Sequence, residues 1–116
     1  MIKESEFRDL VSSLKTGRQV SRLRDVTVTA DTVIQTDAGG YAELRLERTE
    51  VTVASLLDIW KTGEITAVSV EIETSRGVRR GCVFRCDDGT VQHDTCSETD
   101  DDMLHCVEAL RGRCRT

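Results

Sequence analysis

A small α+β domain built on one antiparallel sheet is what this sequence predicts, and three observations predict it. Three stretches space their apolar residues as helices do. Two pairs of stretches alternate apolar and polar residues around glycine-bearing turns. The two kinds of segment follow one another as α-β-β-α-β-β-(β)-α over residues 1–116, which reads as a single domain of two layers, with the helices packed on one face of a sheet made from two hairpins.

The first helix is expected over residues 5–15. Phe7, Leu10, Val11 and Leu14 stand at i, i+3, i+4 and i+7, which makes one apolar stripe. Ser5 suits the N-cap, and Gly17 suits the residue past the end, where a left-handed backbone carries no Cβ penalty. From Val20 to Asp37 the period falls to two. Val26, Val28, Ala30 and Ile34 alternate with Asp25, Thr27, Thr29, Asp31 and Gln35, as in a strand with one wet face. Asp37-Ala38-Gly39-Gly40 is turn chemistry. Tyr41 to Arg48 returns as its partner, with Ala42, Leu44 and Leu46 directed inward.

Thr52 is placed to cap a second helix at 53–62, striped by Val53, Leu56, Leu57 and Trp60 and ended by Gly63. Trp60, the only tryptophan, reads as a core anchor whose indole N–H finds a partner. Then comes the stretch around which the chain is organised, Ile65 to His93. Val68, Val70 and Ile72 alternate with Ser69, Glu71 and Glu73; Ser75-Arg76-Gly77 is a hairpin loop; Val78 to Cys86 pairs back; and Asp87-Asp88-Gly89-Thr90 turns into a strand stub at Val91 to His93. Pairing Cys86 with Val91 would set Phe84 opposite His93 and bring Cys82 near Cys96. A last helix puts Met103, Cys106, Val107, Leu110 and Cys114 on one face. Ser97 or Thr99 would cap it, Asp100 to Asp102 complement the positive end of its dipole, and Arg111, Arg113 and Arg115 the negative end.

Composition narrows the function classes. Sixteen basic against 21 acidic residues leave a net charge of −5, which argues against a nucleic-acid partner, since phosphate binding needs a basic field. No apolar run reaches the roughly 18 residues of a membrane span. Met1 to Leu10 is charged and lacks a signal-like apolar stretch. A cytoplasmic protein with five free thiols is the expectation.

No stretch carries a specific catalytic or phosphate-binding motif, so no cofactor is expected. Cys82, Cys86, His93, Cys96, His105, Cys106 and Cys114 include enough donors for a metal. Yet Cys82 and Cys86 would lie roughly 13 Å apart on a strand, too far to share one ion. His93, Asp94 and Cys96 are too close in sequence to converge on one reacting atom. The one unusual feature is charge segregation, with Arg76, Arg79 and Arg85 on the central hairpin and Asp87, Asp88 and Asp101 beyond it. It favours a non-enzymatic interaction module, a small acidic inhibitor or accessory protein that docks on a partner protein, with homodimerisation through strand edges in the same class. The alternatives are a Cys/His metal-binding or redox-responsive module, and a small enzyme whose site is assembled from residues distant in sequence.

Overall fold

A computed structural model describes the backbone of residues 1–38, 41–96 and 103–114, and the side chains of these except 33–38, 41–48, 96 and 103–105. The elements in order are β1 (Ile2–Lys3), α1 (Glu4–Thr16), a 3₁₀ turn (Ser21–Leu23), β2 (Thr27–Ala38), β3 (Tyr41–Thr52), α2 (Val53–Thr62), β4 (Ala67–Thr74), β5 (Gly77–Arg85), β6 (Val91–Cys96) and α3 (Met103–Arg111). The sheet runs β3-β2-β4-β5-β6, antiparallel throughout, with β1 added in parallel to β4 at Ile2 and Ile72. The α+β class is the one the sequence predicts, and so is the element order apart from the short β1 and the 3₁₀ turn.

Local chemistry accounts for the ends of the helices. α1 begins one residue earlier than expected, at Glu4, because Glu6 accepts the Lys3 N–H at 2.9 Å and so satisfies a donor the helix leaves free. Gly17 and Gly63 both take left-handed φ, 72° and 79°, and close α1 and α2. The Thr52 hydroxyl accepts the Ser55 N–H and caps α2. Residues 21–23 form a 3₁₀ turn rather than strand, and bury Leu23.

Helices cover both faces of the sheet. Val68, Val70, Ile72 and Val83 pack with Phe7, Leu10, Leu14, Leu56, Leu57 and Trp60 of α1 and α2. Ala67, Cys82, Phe84 and Cys86, which alternate with them along β4 and β5, pack with Cys106, Val107 and Leu110 of α3. The expected two layers are therefore three. The reason lies in β4 and β5 themselves, which carry apolar residues at odd and even positions alike, the pattern of a strand buried on both sides.

Two registers differ from expectation. The turn after β5 closes with Cys86 N–H donating to the Thr90 carbonyl at 2.7 Å, around a left-handed Gly89. This puts Arg85 opposite Val91 and Cys82 opposite Asp94, one residue away from the Cys86–Val91 pairing. β6 consequently runs on to Cys96 instead of stopping at His93. In the first hairpin, Val28 and Ala30 stand opposite Val51 and Thr49. Ala42, Leu44 and Leu46 stand opposite Asp37, Gln35 and Val33, on the other set of rows. The apolar positions of β3 thus do not continue the apolar row of Val28 and Ala30.

Candidate functional site

The six residues marked by the sequence go to different places. Arg76, in the β4–β5 turn, is exposed, and Arg79, on β5, is half-buried. Together they border an open depression of about 450 Å³ completed by Glu4, Thr74, Ser75 and Thr95. A smaller hollow of about 200 Å³ adjoins it through Glu4 and Thr95, and is lined further by Phe7, Arg8, His93 and Asp94. The side chains of Arg8, Arg76 and Arg79 have no ion-pair partner among the described residues.

Arg85 does other work. Its guanidinium lies 4.0 Å from the centroid of the Trp60 ring and donates to the Trp60 carbonyl in the last turn of α2. A cation there faces both the negative face of the indole and the negative end of the helix dipole. Arg85 is therefore a structural residue rather than a free contact. Trp60 is the core anchor the sequence indicates, and its indole N–H donates to the Leu14 carbonyl at 3.1 Å.

Asp87 and Asp88 occupy the β5–β6 turn. The Asp88 carboxylate accepts the Thr90 N–H at 3.0 Å and its hydroxyl at 2.6 Å, which makes it a turn-former. From Arg79 to Arg85 the strand advances roughly 20 Å at about 3.3 Å per residue, and Asp87 and Asp88 lie in the turn beyond it. The basic and acidic groups thus stand at opposite ends of the meander. Asp101 lies outside the described residues.

The cysteines depart most from expectation. Cys86 and Cys114 form a disulfide, with Cα atoms 5.7 Å apart, and Cys106 is disulfide-bonded as well. Cys82 is the free thiol among the described cysteines. Its ladder partners are Ser69 and Asp94, and Cys96 stands two places further along β6, opposite Arg80. Burial pushes its pKa up to about 11, against the downward pull of the Ser69 hydroxyl and Arg80. Such a thiol stays protonated and is a poor nucleophile or ligand. Among the described residues no group of three or more His, Cys, Asp or Glu side chains is placed to hold a metal ion.

His93 and Asp94 are consecutive on β6 and turn to opposite faces, so they do not act as a pair on one atom. Burial lowers the His93 pKa, Lys15 and Arg113 lower it further, and Asp94 opposes them. For Asp94, burial alone would raise the pKa. The Arg113 guanidinium at 2.6 Å and the Thr95 N–H outweigh burial and hold the carboxyl below its usual range. This ion pair and the Cys86–Cys114 disulfide both tie the segment just after α3 to the meander.

Sequence reading missed Glu4 and Arg8, because they reach the depression and the hollow beside it from α1, some seventy residues away in the chain. Helical spacing marks them only as exposed positions. It also missed the Cys86–Cys114 pairing, which no spacing rule encodes. Compared with protein families, with curated proteins and with solved structures, the chain matches none of them.

Proposed function

We propose that this protein is a non-enzymatic interaction module, an inhibitor or accessory protein that works by docking on a partner protein. One observation carries the reading. Arg76 and Arg79 stand on the rim of one shallow depression, Arg8 lines the smaller hollow that adjoins it, and no carboxylate among the described residues pairs with them. Guanidinium groups in a polar hollow suit the carboxylates of an acidic segment on a partner, which they bind through paired, planar hydrogen bonds. Asp87, at the far end of the meander, would meet basic groups and fix the orientation of docking.

The test is a paired measurement on Arg76→Glu/Arg79→Glu. Cross-linking in a cell extract, followed by mass spectrometry, identifies partners of the wild type, and calorimetry then measures affinity for the purified partner. The double variant should bind at least tenfold more weakly with an unchanged unfolding midpoint. Equal affinity in the variant would end the reading.

A second reading, a redox-responsive module, is favoured by the disulfides at Cys86–Cys114 and at Cys106, the first of which ties the segment just after α3 to the meander. They also bear on location. No described helix is long and apolar enough to cross a membrane. A cytoplasmic placement goes with reduced thiols, whereas disulfides persist in oxidising compartments. Alkylation of thiols at the moment of lysis, read by mass spectrometry, separates the two placements.

A further inference from the structure

We infer that a second copy of this chain pairs with the open edge of β3 and makes a two-fold dimer with a continuous sheet. The inference rests on the view that the chain works through protein contacts, but it uses a different surface from the arginine-lined depression.

β3 is the outermost strand on its side, and no described residue pairs with its outer edge. The β2–β4 ladder stops at Val33 opposite Ala67, while the β2–β3 ladder runs on to Ala38 opposite Tyr41. Beyond Val33, therefore, β2 and β3 continue as a ribbon of two strands, and such a ribbon is marginally stable by itself. A strand edge of this length is a template for pairing unless it is guarded.

The hydrogen-bond phase shows which residues are available. The Val53 N–H donates to the Val26 carbonyl at 2.9 Å. With an unbroken register from Thr52 to Tyr41, the odd-numbered residues of β3 then bond inward to β2. The backbone groups of Ala42, Leu44, Leu46, Arg48 and Glu50 face the open edge. A two-fold antiparallel partner must pair even with even, so its axis falls on a single residue.

Charge and polarity select among the axes on Glu43 to Leu46; an axis at Thr49 would also set Arg48 against Glu50, but it lies where β2 is still paired with β4, outside the two-stranded ribbon. An axis at Glu43 sets glutamate against glutamate. One at Arg45 sets arginine against arginine and Glu43 against Glu47. One at Leu46 pairs Arg45 with Glu47 but places Leu44 opposite Arg48. With the axis at Leu44, Glu43 meets Arg45 of the second copy on both sides, Leu44 meets Leu44, and Ala42 meets Leu46. Opposite charges and apolar pairs each stabilise a ladder, and like charges directly opposite destabilise it. The run Ala42-Glu43-Leu44-Arg45-Leu46 is self-complementary only in that register. It joins Leu44, Leu46 and Val33 of both copies into one set of rows, and supplies the third and fourth strands that the ribbon lacks.

The experiment is sedimentation equilibrium on the full chain across a concentration series, with far-ultraviolet dichroism to confirm folding. The wild type should show twice its 12.9 kDa mass and dissociate on dilution. Glu43→Arg and Arg45→Glu each turn two opposite-sign contacts into like-sign ones, and should raise the dissociation constant roughly tenfold or more. The combined swap Glu43→Arg/Arg45→Glu restores the pairing and should restore the dimer. A 12.9 kDa monomer at every concentration, or a dimer indifferent to the single swaps, overturns the inference. Arg76→Glu/Arg79→Glu serves as the control. A monomer that still binds a partner through these arginines defeats the dimer alone, and a swap-sensitive dimer without such a partner defeats the docking reading alone.

Discussion

Gly81 sits beneath Phe7, and filling that gap is the sharpest test of how α1 meets the sheet. A Cβ built on Gly81 would stand 2.4, 2.6 and 2.7 Å from Cε1, Cζ and Cδ1 of the Phe7 ring. Ordinary contacts begin near 3.4 Å, so the ring would have to retreat by about 1 Å. Phe7 is 3% exposed and belongs to the main core with Leu10 and Val11, and a close-packed interior has no room for that retreat. Overpacking of this kind costs about 1–3 kcal/mol. Replacing glycine by alanine also restricts the unfolded chain, which returns about 0.4–1 kcal/mol. Gly81→Ala should therefore lose about 1–2 kcal/mol in urea unfolding followed by Trp60 fluorescence. In a Phe7→Ala background the ring is gone, and the same substitution should be neutral or stabilising. A cost that is the same in both backgrounds, or absent in the first, would refute the contact as the cause.

Three other expectations are simpler. Asp31 and Arg80 pair at 2.5 Å across β4, with side chains only 12% and 19% exposed. Asp31→Val should thus cost about 3 kcal/mol by leaving Arg80 without its carboxylate, and Asp31→Val/Arg80→Met should recover most of it, as chemical denaturation would show. Thr52→Ala removes the cap of α2 and should cost about 1 kcal/mol in the same assay, with Thr52→Ser near wild type. His93 should titrate below its ordinary value in an NMR pH series, higher in Lys15→Met and lower still in Asp94→Asn. Because the shift is downward, the folded state favours the neutral ring. The stability it contributes is complete above the ordinary histidine value and lost as pH falls through the folded-state value.

Much of the fold was legible because period reports burial so directly. The stripes at Phe7-Leu10-Val11-Leu14 and Val53-Leu56-Leu57-Trp60 gave α1 and α2 nearly to the residue, and glycine marked both ends. Register was not legible, because it is decided by how a turn closes. Cys86 bonding Thr90 moved every pair in the β5–β6 ladder by one place. The third layer was concealed by small side chains: Ala67, Ser69 and Cys82 do not look like a helix-binding face until Phe84 is placed beside them. The candidate site was half visible. Arg76 and Arg79 share a hairpin and a charge, but Arg85 has the same charge and strand, and only its stacking on Trp60 separates it from them.

α3 is where the apolar contact is thinnest and the covalent bonds are concentrated. It has nine residues, too few to be stable alone, and rests on Ala67, Cys82, Phe84 and Cys86, a smaller set than the one beneath α1 and α2. The Cys86–Cys114 bridge closes a loop across a sequence separation of 28 residues, for which the chain-entropy account gives about 3–4 kcal/mol. Its loss should fall unevenly. With the bridge removed by Cys86→Ser/Cys114→Ser, which leaves no new free thiol, amide hydrogen exchange should quicken in α3 and along the face of β5 it covers, while α1, α2 and the centre of β4 keep their protection, because their core does not depend on the bridge. Cys82, protonated and covered in the native state, should then become reactive toward a thiol probe at a rate that follows the opening of α3. Exchange that quickens equally in α1 and α3 would mean that both faces open as one unit, and that the bridge stabilises the whole molecule and not the helix it holds.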